Sequence, residues 1–278
     1  MLNVEQILMD HEPWIRLGTF LGGFVVMAVW EAIAPYRSYR QAKPVRWLNN
    51  LSLVVLNTIL LRVVFPIAAV GFAAMASQNH WGLFNSLPLP LWITVLASVI
   101  ALDGIIYGQH VLFHRIPLFW RLHKVHHADL DFDVTTGLRF HPLEILLSMG
   151  IKLGAIALLG APTVAVLMFE VVLNASSMFN HGNVSLPRKI ETLLRWIIVT
   201  PDMHRIHHSV RVQETNSNFG FNLPWWDRLF GTYCDQPTIN PRRMGIGLSQ
   251  YQQEQRVGYL HWMLLLPFWS PLRGYREG

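Results

Sequence analysis

The chain has 278 residues, 52% of them hydrophobic and only 14% charged, with a formal net charge of +5. Soluble domains carry roughly 25% charge, so this deficit and the long apolar runs argue against an ordinary soluble domain and point to a membrane protein. The Lys and Arg surplus follows no nucleic-acid-binding signature, and a lone Cys234 excludes disulfide frameworks, zinc ribbons and cysteine-ligated iron–sulfur clusters.

The opening MLNVEQILMDHEPW has no basic n-region, so a cleaved signal peptide is not expected. The first apolar run, 17–34, is just long enough to span. A linker at 36–47 carries Arg37, Arg40, Lys43 and Arg46, and a second, nearly uncharged run covers 50–76. The loop 77–90 has no Lys or Arg, and a third run, 91–109, leads into a cluster of histidines. Residues 143–179 are too long for one ordinary span, and Leu159-Gly160-Ala161-Pro162 in their middle is a turn signal. The expectation is a hairpin with arms 143–159 and 162–180, the first short or tilted because it contains Lys152. Residues 181–256 are polar and basic. The tail 259–272 is short and aromatic, as interfacial segments are.

The expected class is therefore all-α: a polytopic membrane protein with about four transmembrane helices, including the hairpin near 143–180, and a helical cap holding the histidines. The expected division is N-terminal transmembrane helices at 1–100, a catalytic domain at 101–235 and an interfacial tail at 236–278. The positive-inside rule puts 36–47 in the cytoplasm and 77–90 outside. The third helix then runs inward, and every dense histidine cluster falls on the cytoplasmic side.

Spacing decides what those histidines can do. Successive helical residues turn by about 100°. His110 and His114 therefore share a face, as do His123, His126 and His127, and again His204, His207 and His208. Pro117 separates the first two boxes. Thr200 before Pro201 is a helix-start signal for the third. Eight imidazoles exceed the three or four ligands that one zinc takes. They suit two metals with four or five ligands each and open positions for a small molecule. A protonated headgroup-binding patch is the bland alternative, but Lys and Arg serve that purpose better.

His181 adds a ninth candidate ligand. Glu170, Asn174, Ser177 and His181 form one polar stripe at helical spacing, which makes Glu170 and Asn174 candidate supporting residues, with a purely structural role for Glu170 as the alternative. Asp103 lies seven residues before His110 and is a candidate either for accepting a ligand's second N–H or for a helix–helix hydrogen bond. His141, in RFHPLE, is a candidate further ligand or near-site residue. His11, His80 and His261 are isolated and read as surface residues.

The ordered set HVLFH, HKVHH, FHPLE, NHGN and HRIHH, followed by NFGFNLPWWDRLFGTY at 218–233, resembles the fatty acid hydroxylase superfamily, also called the sterol desaturase family. The resemblance covers about 103–233. It implies a non-haem di-iron centre that activates O2 to oxidise an unactivated lipid C–H bond. Products in the family include hydroxylated acyl chains and sterols, desaturated sterols and cleaved ether lipids. Carried over by position, the metal ligands are His110, His114, His123, His126, His127, His181, His204, His207 and His208. Some members have a further histidine upstream of the His181 position, where this chain has Ser177. The resemblance implies two iron ions, with zinc able to replace them in purified material, and O2 as cosubstrate. A separate electron-donor protein is expected, in a bacterial inner membrane or the endoplasmic reticulum.

Two rivals come from other classes. A metal transporter or metal-handling protein would place its ligands along a midplane path, whereas these gather past helix ends. A zinc hydrolase would pair histidines with a carboxylate base, as in HExxH, which the chain lacks.

Overall fold

A computed structural model describes Ile7 and residues 9–269 of the chain. The described residues form helices and no strand. In chain order they are α1 (Glu12–Ile33), α2 (Lys43–Val64), α3 (Ala69–Gln78), α4 (Leu91–Arg115), α5 (Pro117–His127), α6 (Pro142–Leu159), α7 (Thr163–Asn180), α8 (Arg188–Leu194), α9 (Pro201–His207), α10 (Val212–Thr215), α11 (Trp225–Phe230) and α12 (Leu260–Trp269).

Proline sets most of the starts. It stands at the N-cap or in the first turn of α1, α2, α4, α5, α6, α7, α8, α9 and α11. Its missing N–H is harmless there and its fixed φ is already helical. Pro66 stops α2 for the same reason that Pro117 separates α4 from α5. The hairpin turn is as expected: Gly160 closes α6 at φ 65°. A Cβ there would lie 2.6 Å from the Trp81 carbonyl, so the loop after α3 packs on the turn only because glycine is present.

Five stretches are long and apolar enough to cross a bilayer: α1, the α2–α3 stretch, α4, α6 and α7. The chain is an integral membrane protein. The count exceeds the sequence expectation of about four because α6 is a full 18-residue helix despite Lys152. That lysine is paired with Glu170 at 2.8 Å rather than left in lipid. Helix α7 is the central post. Half of its spanning window is buried against the other helices, compared with 11% for α1. It packs on α1, α3 and α4 and carries His181 at its end.

The cap forms beyond the ends of α4 and α7. Its core joins Trp120, Val125, Ala128 and Leu130 to Leu53 of α2 and to Leu248, Val257, Met263 and Leu266 from the C-terminal segment. Burying one such aliphatic side chain contributes roughly 1.5–3 kcal/mol. Helix α12 covers the expected interfacial tail as far as Trp269, and residues 270–272 of that stretch lie outside the described residues.

Candidate metal centre

Four helix ends bring the histidines together. His110 and His114 close α4, and His123, His126 and His127 fill the last two turns of α5. His181 is the C-cap of α7. His204 and His207 lie on α9, with His208 at its C-cap. The start of α9 follows the expected pattern: Thr200 caps it, accepting the Met203 N–H at 3.4 Å, and Pro201 is the first helical residue.

All nine imidazoles are buried. They divide into two groups, each able to hold a metal ion. His110, His114, His123, His127 and His207 form one, and His126, His181, His204 and His208 the other. Within a group the ligand nitrogens lie within 4.8 Å of one another. His114 Nε2 is 3.1 Å from His127 Nε2. His181 Nε2 is 3.2 Å from His126 Nε2 and 3.0 Å from His204 Nε2. Metal–nitrogen bonds of about 2.1 Å meeting near a right angle put two nitrogens about 3 Å apart, so these spacings fit shared ions.

Hydrogen bonds on the outer nitrogens orient the rings. His110 Nδ1 donates to the Phe219 carbonyl at 2.8 Å, His207 Nδ1 to the Ser217 carbonyl at 2.7 Å and His181 Nδ1 to the Ser177 carbonyl at 2.7 Å. His114 Nδ1 faces Asn216 Oδ1 at 3.3 Å, and His123 Nδ1 faces Glu144 Oε1 at 2.6 Å. A neutral imidazole has one N–H, so donation at Nδ1 leaves the Nε2 lone pair pointing inward. The buried Nε2 atoms of His110, His123 and His207 have no hydrogen-bond partner, nor do Nδ1 of His126 and His204 and both nitrogens of His208. Orphaned buried acceptors are costly in a folded protein. A cation held by the five-histidine group would satisfy the Nε2 lone pairs of His110, His123 and His207, which nearby hydrophobic packing cannot do.

Burial pushes His123 and His181 down to about 3. It also carries His126, His127, His204, His207 and His208 well below the ordinary imidazole range, with neighbouring imidazoles adding to the effect. The rings are therefore neutral near pH 7, the form that ligates metal.

Two loops hold the groups in place. One runs from Asp129 to Arg139 beneath His126 and His181. Arg46, buried on α2, pairs with Asp129 at 2.8 Å and also with Asp133, whose carboxylate accepts Trp47 Nε1–H at 2.9 Å. Burial would raise the Asp129 carboxyl, but Arg46 and Arg139 overcome it and hold the group below the usual carboxylate range. Arg139 ties this loop to the carbonyls of Val125 and Val257. Phe132 lays its ring against His181 and His208. The second loop is the strap 216–223, which supplies the acceptors for His110, His114 and His207. Asp227 holds it by accepting the Phe219 and Gly220 N–H groups at 2.8 and 2.7 Å.

Glu144, the Arg46–aspartate cluster and Asp227 were not singled out from sequence. Their traces are the FHPLE, DLDFD and WWD motifs, whose acids gain meaning only once their partners are placed.

None of the four supporting candidates, Asp103, Glu170, Asn174 and His141, hydrogen-bonds a ligand ring among the described contacts, and for Asp103 and Glu170 the structural alternative is the one found. Asp103 does not meet a histidine; it accepts from Trp226 Nε1 at 2.8 Å and from the N–H groups of Asn222 and Leu223 at 3.3 Å. It steadies the strap one step away from His110. Glu170 is the centre of an ion cluster with Arg16 at 2.6 Å and Lys152 at 2.8 Å. His141 belongs to neither histidine group; it caps α6, with Nδ1 accepting the Leu143 N–H and Nε2 on the Leu264 carbonyl. Asn174 is half-buried on α7 and also belongs to neither group. Ser177 serves through its carbonyl, while its hydroxyl donates to Gly137 O at 2.6 Å. His11, His80 and His261 are exposed, as expected.

Comparison with known proteins agrees with this geometry. The family model described as fatty acid hydroxylase matches residues 95–232. The ornithine lipid hydroxylase OlsE of Rhizobium tropici is 29% identical over 243 residues, covering 85% of this chain and 72% of that protein. The human alkylglycerol monooxygenase is 28% identical over 161 residues, 56% of this chain and 34% of that protein. The very-long-chain aldehyde decarbonylase GL1-1 of Oryza sativa subsp. japonica is 30% identical over 215 residues, 70% of this chain and 31% of that protein. The chain thus spans only about a third of the length of the last two. No solved structure matches it. The matched segment contains all nine converging histidines, and the chain belongs to the fatty acid hydroxylase family.

Proposed function

We propose that this protein is an O2-dependent non-haem di-iron oxygenase that hydroxylates an unactivated C–H bond of a membrane lipid. Family membership and relatives that include a lipid hydroxylase and a monooxygenase support lipid oxidation as the reaction class. The observation that carries the di-metal reading is the division of nine buried imidazoles into groups of five and four. All nine are ligands in this reading. Bound iron supplies the redox chemistry that oxidation of an alkyl C–H by O2 requires. Hydroxylation consumes O2, a pair of electrons and a pair of protons and releases water, and in this reading a separate electron-donor protein supplies the electrons.

The chain's own residues position and protect. Neutral imidazoles, unlike carboxylates, leave the bound pair of ions highly charged. Glu144 against His123 is the one carboxylate in hydrogen-bond contact with a ligand ring among the described contacts. Phe132 and Phe140 pack on the four-histidine group, Phe219 packs on the five-histidine group, and these rings exclude water. The lipid reaches the centre from the bilayer, and the site faces the cytoplasm by the distribution of loop charge. Hydroxylation is favoured over desaturation by the OlsE similarity. The ornithine lipid class is accordingly the first substrate class to assay.

The test uses purified protein in lipid nanodiscs. Two metals per chain, and O2 uptake that needs both lipid and reductant, are the expected results. His126→Ala should lower metal content and abolish uptake while the protein remains in the membrane. Metal flux across sealed vesicles without O2 consumption would replace this reading with the transporter.

A further inference from the structure

Helix α8, the turn after it and helix α11 expose large apolar side chains on the cap: Leu193, Trp196, Ile197, Trp225, Leu229 and Phe230. The segments are joined. Trp225 Nε1 donates to the Trp196 carbonyl at 2.8 Å, and Arg228 donates to the Arg195 carbonyl at 3.1 Å. The Arg228 guanidinium lies 3.9 Å from the ring centres of both Trp196 and Tyr233. An apolar surface of this extent, rimmed by polar residues, marks an interaction site.

Helix α4 sets its depth. Trp226 is bound to Asp103, and the Phe230 ring stacks on Tyr107 at 5.5 Å. The Tyr107 hydroxyl is 3.0 Å from Thr232 Oγ1. A Cβ at Gly104 would lie 2.9 Å from the Trp226 ring, so glycine permits this approach. Helix α4 has 25 residues, about 37 Å at 1.5 Å per residue, against a hydrocarbon core of about 30 Å. Exposed Trp92 suits the interface at its other end. Counting about 20 residues from there puts the second boundary near His110. Asp103 and Tyr107 then lie about 5–10 Å inside it, the depth to which interfacial helices sink their apolar faces.

Charge agrees. Arg188 and Lys189 are exposed at the start of α8, and Arg115 at the end of α4. The acids of the same segments, Glu191 and Asp227, are buried and engaged by Arg195 and the strap. Long cationic side chains at this level reach headgroup phosphates while their stems cover apolar surface.

We propose that this face is a lipid-docking surface, with α8, the 195–197 turn and α11 seated in the headgroup and upper acyl layer of the leaflet that borders the histidine site. The surface is continuous with the lipid-facing side of α4. The strap 216–223 hangs between α11 and the histidines, so the leaflet supports the element that orients His110, His114 and His207. The proposal rests on α4 crossing the bilayer and is independent of which metal or reaction the centre serves.

The test uses the full chain in phosphatidylcholine–phosphatidylglycerol nanodiscs. A Cys234→Ser background carries Leu193→Cys or Leu229→Cys with a bimane label, and Gln250→Cys, on an exposed polar loop, as control. Nitroxide lipids labelled near the headgroup should remove about half the fluorescence at 193 and 229, and lipids labelled at the chain end much less, as expected for a shallow interfacial depth. The label at 250 should stay bright. Labels at 193 and 229 as bright as the control would overturn the proposal. So would a blue-shifted label that nitroxide lipid fails to quench, because protein, either a second copy or another partner, would then cover the face.

Discussion

Glu144→Gln isolates what one carboxylate does for one metal. Glu144 is the third residue of α6, where the helix N-terminus favours its negative charge. Its Oε1 lies 2.6 Å from His123 Nδ1, and both side chains are almost fully buried. Glutamine retains the volume and an acceptor oxygen but cannot carry the carboxylate charge that would strengthen His123 as a donor to a bound metal. Losing such a supporting partner typically weakens metal binding 10–100-fold, or about 1.4–2.7 kcal/mol. His123 belongs only to the five-histidine group, and no carboxylate touches the four-histidine rings in the described contacts. The substitution should therefore weaken one metal equivalent and spare the other. Chelator-competition titration, followed by metal analysis and by the visible bands of a cobalt-substituted sample, resolves the two equivalents. Unchanged affinity at both, or an equal loss at both, would refute the assignment of Glu144 to a single ion.

Acid should open the metal-free cap. His123 and His181 titrate near 3 when folded and near 6.5 when unfolded, so between those values the unfolded chain binds more protons. Stability is complete above about pH 6.5 and falls by about 1.4 kcal/mol per pH unit for each ring as pH drops. Near-ultraviolet circular dichroism of apo protein should show the loss between about pH 6 and 4, with bound metal shifting it lower; a signal flat to pH 4 contradicts the buried-neutral reading. For orientation, a membrane-impermeant thiol reagent should label Gln250→Cys in the Cys234→Ser background from the cytoplasmic face alone, and labelling from the opposite face would invert the topology.

The histidine boxes, the hairpin turn and the start of α9 were legible because their signals are local. Spacing puts imidazoles on a face, and Gly160, Pro162 and Pro201 punctuate the backbone wherever they occur. Asp103 and Glu170 show where periodicity stops informing. Both share a helical face with a histidine, but a shared face says nothing about reach. Seven residues separate Asp103 from His110, about 10 Å along the axis, and eleven separate Glu170 from His181, about 16 Å. Neither carboxylate can bridge that distance, so each found other donors.

Arg46 was read differently for a related reason. In the sequence it is one of four cations in a linker, and nothing in that linker ties it to the distant acids of DLDFD. In the fold the two segments neutralise each other almost without solvent contact, with Arg46 1% exposed and Asp129 and Asp133 fully buried. Arg37 is also engaged internally, donating to the carbonyls of Pro241 and Met244. Of the linker's four cations Arg46 is the one neutralised by buried carboxylates; Arg37 and Arg40 donate to neutral acceptors and keep their charge, which with Lys43 remains to orient the chain. The same limit applies to the centre itself. The acceptors that turn the lone pairs of His110, His181 and His207 inward are the carbonyls of Phe219, Ser177 and Ser217. Every residue has such a carbonyl, so no side-chain pattern could have marked these three. What the chain specifies instead is the path of the strap and of α7, through Asp103, Asp227 and the Ser177–Gly137 contact, and ring orientation follows from that path.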